Sequence, residues 1–293
     1  MNIYASYACN ANCAFCSLHD RPGKRIALDW LEQQLEKHED LCEDINILGG
    51  EPSVLPLDYQ ERLVDICTKA AGEKPYYITN LLNVSPVLGK TRPIVSYDFG
   101  LREDNVQTMN NILQLDMPYS LSTILTDELI SRGSKKLLRF VDMQPNCERI
   151  DLVMYRSGTT EKDFTPDHEE LMKFVSEVMD HPKINLTPYS AMKGWTDNSF
   201  ANVAGRFGFL PDNKYGVRID YGQQGYTPFD SYDDALIYYI KRINEINRTK
   251  LCGSCPYKGR CWCVGGYENE VCHGDREMME LFERRLKDVH PHV

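Results

Sequence analysis

The chain has 293 residues, 42% of them hydrophobic and 26% charged, with a formal net charge of −10 and a sequence pI near 5.3. That length can bury a sizeable core without disulfides, as one large domain or one plus a smaller appendage, and the acidic balance disfavours nucleic acid, whose phosphates call for a basic excess. No apolar run reaches membrane-span length and the start, MNIYASYAC, lacks the basic-then-apolar layout of a secretion signal, so a cytoplasmic protein without a membrane anchor is expected.

In chain order, residues 2–7 read as a strand, and Leu28, Leu31 and Leu35 mark a helix over 28–39. The segment 45–48 is a buried strand ending in Gly49-Gly50, followed by a helix over 57–71 with Leu63, Ile66, Cys67 and Ala70 on one face. Strands over 76–79 and 94–98 precede a helix over 103–114. A strand over 119–125 precedes a helix over 127–141, and a strand over 149–155 precedes one over 167–180. A last strand over 184–188 closes the series. This β–α alternation predicts a parallel sheet with outer helices, a partial (β/α)6-type TIM-like barrel whose functional groups sit at the C-terminal strand ends.

The rhythm changes near residue 190, which is taken as the boundary between a barrel domain (1–190) and a second domain (191–293). Residues 191–215 read as linker, and 215–229 as a hairpin around Gly222-Gln-Gln-Gly225. A helix is expected over 232–247 with Leu236, Tyr239, Ile240, Ile243 and Ile246 as its apolar face, and a charged helix over 275–289. Asp220, Tyr221 and Tyr226 lie in the hairpin, whose place over the barrel mouth would make them an acid, base or substrate contact; ordinary hairpin polarity is the simpler role for them.

Eleven cysteines are many for a reducing compartment, where clustered thiols are metal ligands more often than disulfides. Three lie within 9–16, five within 252–272, and Cys42, Cys67 and Cys147 stand alone as structural residues. The first group, Cys9-x3-Cys13-x2-Cys16, offers three thiolates on one loop, enough for three irons of a cubane with the fourth left open. Zinc with His19 as fourth ligand is the alternative. The next strand ends in Gly49-Gly50-Glu51-Pro52, where two glycines admit close approach of a ligand to the backbone and the glutamate offers an acceptor for an ammonium group.

These two motifs, in this order and at these strand ends, resemble the radical S-adenosylmethionine (SAM) superfamily. The resemblance implies a 4Fe–4S cluster with an open iron on Cys9, Cys13 and Cys16, Phe15 beside the adenine, and Gly49, Gly50, Glu51 and Pro52 at the methionine end of SAM. Thr79-Asn80 ends the third strand as in that family. Ser96-Tyr97-Asp98-Phe99-Gly100 resembles the ribose-contacting strand end of its SPASM/twitch branch, with Phe99 as an insertion; helix capping is the alternative role for Ser96 and Asp98.

Cys252-x2-Cys255-x5-Cys261-x-Cys263, with Cys272 eight residues on, resembles the small cysteine-rich SPASM/twitch extension. It departs at residue 265, a glycine, and at Phe229, where a cysteine would stand in the full pattern. One auxiliary 4Fe–4S cluster on Cys252, Cys255, Cys261 and Cys272 is implied, with Cys263 competing for a place; a zinc knuckle is the alternative.

The resemblance implies reductive cleavage of SAM to a 5′-deoxyadenosyl radical and hydrogen abstraction from a substrate carbon. A peptide or protein side chain is the favoured substrate, a small metabolite the alternative, and flavodoxin or ferredoxin the expected kind of electron donor. With the first strand expected from residue 2, no N-terminal peptide-recognition domain is expected, which weakens the peptide reading without removing it. Competing readings are a glycyl-radical activase and a non-catalytic iron–sulfur or zinc interaction protein.

Overall fold

Ten strands form one sheet in the computed structural model of the chain, which describes residues 1–16, 18, 23–42, 44–102, 105–155, 163–186, 207–218, 226–248, 255–257 and 275–289. They are β1 (Asn2–Tyr4), β2 (Asn46–Leu48), β3 (Tyr76–Thr79), β4 (Arg92–Ser96), β5 (Tyr119–Leu125), β6 (Cys147–Met154), β7 (Ile184–Asn185), β8 (Phe207–Leu210), β9 (Lys214–Val217) and β10 (Thr227–Phe229). Their order is β10-β9-β8-β1-β2-β3-β4-β5-β6-β7. Pairing is parallel from β8 through β7 and antiparallel along β8–β9–β10, so the sheet is an open barrel.

The strands alternate, as β5 shows: Tyr119, Leu121, Thr123 and Leu125 are buried, while Ser120, Ser122 and Ile124 are half-buried. The buried face, with Ile3, Ile47, Tyr77, Val95, Leu121 and Ile150, packs in one core with helix residues. These helices are α1 (Leu28–Lys37), α2 (Leu57–Ala71), α3 (Asn105–Ile112), α4 (Asp127–Arg132), α5 (Ser134–Asp142), α6 (His168–Val178), α7 (Tyr232–Arg248) and α8 (Asp275–Val289). Leu31 and Leu35 of α1 and Leu63 and Cys67 of α2 are among the most enclosed. Each large apolar side chain so buried contributes about 1.5–3 kcal/mol. The other face, with Ser96, Ser122, Asp151 and Asn185, is less buried.

Several expectations need correction. The single helix over 127–141 is two, because Gly133 turns the chain with φ +84 between α4 and α5. The linker over 191–215 contains β8, whose four residues Phe207–Leu210 are all buried; residues 187–206 lie outside the described residues. β8 pairs with β1 (Asn2↔Gly208, Ile3↔Phe209) and so joins the barrel sheet. The hairpin forms as β9–β10, with Val217 opposite Thr227 and Tyr215 opposite Phe229; Asp220 and Tyr221 lie outside the described residues.

Tyr226 does not roof the mouth. Its ring packs on Gly208 and Gly216, where an added Cβ would come within 3.2 and 2.8 Å of it, and its hydroxyl accepts a hydrogen bond from Asn2 Nδ2 at 2.6 Å, at the N-terminal end of β1. The slot left by two glycines draws the ring to the barrel floor. On α7, Ile240 is 50% exposed, and Tyr238 takes the inward role instead, 5.1 Å from Phe229. Cys42, Cys67 and Cys147 are buried free thiols, as expected for structural residues, and Met278 and Phe282 of α8 are core residues. Among the described residues no helix is long and apolar enough to cross a membrane.

Candidate active site

The cysteine loop leaves β1 and stays paired with the end of β2. Ala5 donates its N–H to Leu48 O (2.8 Å), and Gly50 and Glu51 donate theirs to Ser6 O and Ala8 O, each at 2.7 Å. A Cβ on Gly50 would lie 2.2 Å from Ala8 O and 2.5 Å from Tyr7 O; one on Gly49, whose φ is +146, would lie 2.2 Å from Ser6 O. The glycines admit a close approach of the chain's own loop stem. Gly49-Gly50 is therefore the seat on which the cysteines stand.

Glu51 is 1% exposed, and its carboxylate is fully engaged by the chain. One oxygen accepts from Ser53 N–H (3.0 Å) and Thr79 Oγ1 (2.8 Å), the other from Asn80 N–H (2.6 Å). Burial raises its pKa above the ordinary carboxylate value, and the Asn80 and Ser53 hydrogen bonds oppose that shift. Asn80 carries the link onward: its Nδ2 donates to Asn10 Oδ1 at 2.9 Å and lies 3.8 Å from Cys9 Sγ. Its backbone oxygen accepts from Thr108 Oγ1 of α3 at 2.9 Å. Residues far apart in sequence thus form one clasp.

A second anchor comes from the loop after β4. Asp98, 2% exposed, accepts Ile124 N–H (3.0 Å) on one oxygen and Arg102 Nε (2.8 Å) on the other. The Arg102 side chain is 11% exposed, pairs with Asp98 through a second nitrogen at 2.7 Å, and has its guanidinium 5.8 Å from the centre of the Phe15 ring. The Asp98 backbone oxygen accepts from Asn105 Nδ2 at 2.8 Å at the start of α3. Arg102 was not singled out from sequence. The available signal was its spacing four residues beyond Asp98.

Ser96 stands half-buried at the end of β4, and register extends it into a polar row: Ser96↔Ser122, Ser122↔Asp151 and Asp151↔Asn185. The row lies on the less buried face of four adjacent strands. Asp151 accepts from Asn185 Nδ2 and from Arg149 at 3.1 Å. Arg149 Nε is 3.0 Å from the other Asp151 oxygen but makes no well-angled hydrogen bond, so the pair is held mainly through the terminal nitrogen. Only Ser96 of this row was legible beforehand.

Cys9 is exposed, Cys13 buried and Cys16 intermediate, all as free thiols. Burial pushes the Cys13 thiol up to about 12, opposed first by the Arg102 guanidinium, and burial likewise raises Cys9. Each would have to ionise to ligate, so metal binding here is coupled to proton release. Three soft thiol donors on one loop, with a buried cation beside them, fit an iron–sulfur group by donor chemistry. Among the described residues no three His, Cys, Asp or Glu side chains converge on a place for a single metal ion. Of the C-terminal group only Cys255 is described, half-buried against the core; Cys252, Cys261, Cys263 and Cys272, with His19, lie outside the described residues.

The chain matches no family model and no curated protein. Solved structures share its fold. One is Streptococcus suis SuiB, at 18% identity and TM-score 0.63, covering 89% of this chain and 71% of that one. Another is native anSMEcpe with bound AdoMet and Cp18Cys peptide, at 13% identity and TM-score 0.71, covering 100% and 98%. A hexahistidine-tagged anSMEcpe with bound AdoMet aligns at 14% identity and TM-score 0.65, covering 98% and 97%.

Proposed function

We propose that the chain is a radical SAM enzyme of the SPASM/twitch type that modifies a peptide or protein side chain. The observation that carries this reading is the clasp: Glu51 grips Asn80, and Asn80 reaches Cys9, so the glutamate motif, the third strand end and the cysteine loop meet at one barrel mouth. Cys9, Cys13 and Cys16 would hold a 4Fe–4S cluster, and one auxiliary cluster would sit on Cys252, Cys255, Cys261 and Cys272, with Cys263 as competitor. When bound, the cluster and SAM together supply a 5′-deoxyadenosyl radical able to take hydrogen from a substrate carbon.

The chain's own residues position and enclose. Glu51 locks the loop stem to the third strand; with both oxygens engaged, its first task is to hold Asn80. In this reading Phe15 would lie beside the adenine of SAM and Gly49, Gly50, Glu51 and Pro52 at its methionine end, with Asn80, Ser96 and Asp98 as further contacts. The polar row from Ser96 to Asn185 offers donors and acceptors to a substrate backbone. A peptide is favoured because anSMEcpe, which aligns over the whole chain, binds AdoMet and a peptide together. The electron would come from a flavodoxin- or ferredoxin-type donor in the cytoplasm.

The test is SAM cleavage by the anaerobically reconstituted, reduced protein, read as 5′-deoxyadenosine by mass spectrometry, beside a variant with Cys9, Cys13 and Cys16 all changed to alanine. Product from the intact triad alone supports the reading. A folded protein that loads zinc, or loads clusters that never bind SAM, overturns it.

A further inference from the structure

We infer that Arg102 is the charge-compensating residue of the cysteine loop: its buried guanidinium, anchored on Asp98 and set against Phe15, raises the reduction potential of the cluster held by Cys9, Cys13 and Cys16. This rests on the reading above. Arg102 is 11% and Asp98 3% exposed at the side chain, with nitrogen to oxygen 2.7 Å, so the pair is removed from solvent. The Asp98 carboxylate is also held by Ile124 N–H at 3.0 Å, which fixes it to the sheet and so fixes the arginine. The guanidinium is 5.8 Å from the Phe15 ring, and Phe15 lies between Cys13 and Cys16 in sequence.

A cluster gains negative charge on reduction, and a nearby cation favours the reduced state most where water is excluded. Three thiolates and an incoming electron concentrate negative charge beside this guanidinium. Arginine suits it because it stays protonated whatever the thiolates do. Asp98 partly offsets the cation, so the pair sets the potential by its balance and not by one charge alone. Arg102 does not touch the reacting atoms; it is a positioning residue.

The experiment uses the full chain, reconstituted anaerobically, with the N-terminal cluster identified as the spectral component missing from the triple alanine variant. Redox titration followed by electron paramagnetic resonance is run on Arg102→Met, Arg102→Lys and Asp98→Asn. Arg102→Met is expected to load the same iron but show a midpoint shifted to more negative potential, because Asp98 is left uncompensated. Arg102→Lys should recover most of the shift. Asp98→Asn should move the midpoint the opposite way, and it keeps the proposal falsifiable where Arg102→Met loads no iron. An unchanged midpoint in Arg102→Met with full iron content, or a negative shift in Asp98→Asn, overturns the inference. Failure of the unaltered chain to load a cluster or cleave SAM overturns the enzyme reading itself, and this inference with it.

Discussion

Gly50→Ala tests the seat beneath the cysteine loop. The added Cβ would lie 2.2 Å from Ala8 O and 2.5 Å from Tyr7 O, both backbone atoms that cannot swing aside as a side-chain end can. Restoring ordinary contact requires the loop stem to move by roughly 1 Å, a strain that overpacked sites relieve at about 1–3 kcal/mol. The same movement stretches the 2.7 Å hydrogen bonds from Gly50 N to Ser6 O and from Glu51 N to Ala8 O. Each contributes about 0.5–1.5 kcal/mol net. A loss of about 2–4 kcal/mol follows, which for a chain of this size is a drop in Tm of roughly 4–8 °C. Thermal unfolding of the metal-free protein measures it without reference to any cofactor. Iron content after reconstitution is expected to fall in parallel, since the displaced stem carries Cys9. A Gly50→Ala protein with unchanged Tm and full iron content would show that the stem is not held as described.

Gly133→Ala is a contrast, since nothing lies within 4 Å of its Cβ position and only φ +84 opposes the change; a cost of about 1–3 kcal/mol with iron loading untouched is expected by thermal unfolding and iron assay. Asn80→Asp places a carboxylate beside Cys9 and should lower iron retention against a chelator by about tenfold, equivalent to about 1.4 kcal/mol, while Asn80→Gln falls between it and the native residue. Gln60→Leu strands the Tyr77 and Ser85 hydroxyls, which donate to Gln60 Oε1 at 3.0 and 2.6 Å, and should cost about 2–4 kcal/mol in urea unfolding. His38 is 7% exposed with Nε2 unpartnered among the described residues, and burial lowers its pKa below the ordinary 6.5. A lowered folded value means stability present above the unfolded pKa and lost as pH falls below it, so the urea midpoint should decline between pH 7 and 5 and decline less in His38→Phe.

The motifs were legible because they are short and their chemistry is local: cysteine spacing on one loop, and two glycines where only a missing Cβ fits. The helices were legible where their apolar period was uninterrupted, and α2 (Leu57–Ala71) falls on its expected span. The α4–α5 break was missed because the apolar period of Leu129, Ile130, Leu137 and Val141 runs across Gly133, and a glycine inside such a pattern is only a weak stop signal. β8 was hidden for the opposite reason. Its four residues are buried on both faces, so they show no alternation, and their Gly- and Asn-rich neighbours read as loop.

The parts of the site that escaped share one property: each depends on register between strands. Ser122, Asp151 and Asn185 are unremarkable in sequence and become a row only when β4 through β7 align in parallel, Ser96 opposite Ser122 and so across. Arg102 likewise has meaning only once Asp98 is pinned by the N–H of Ile124 on the next strand. A motif can name the groups that bind a cofactor, because they sit on one segment. The polar residues that surround such a segment come from several strands. That is why the cysteines and GGEP are each legible on one segment, while the Ser96–Asn185 row and the Asp98–Ile124 contact must be read from the sheet.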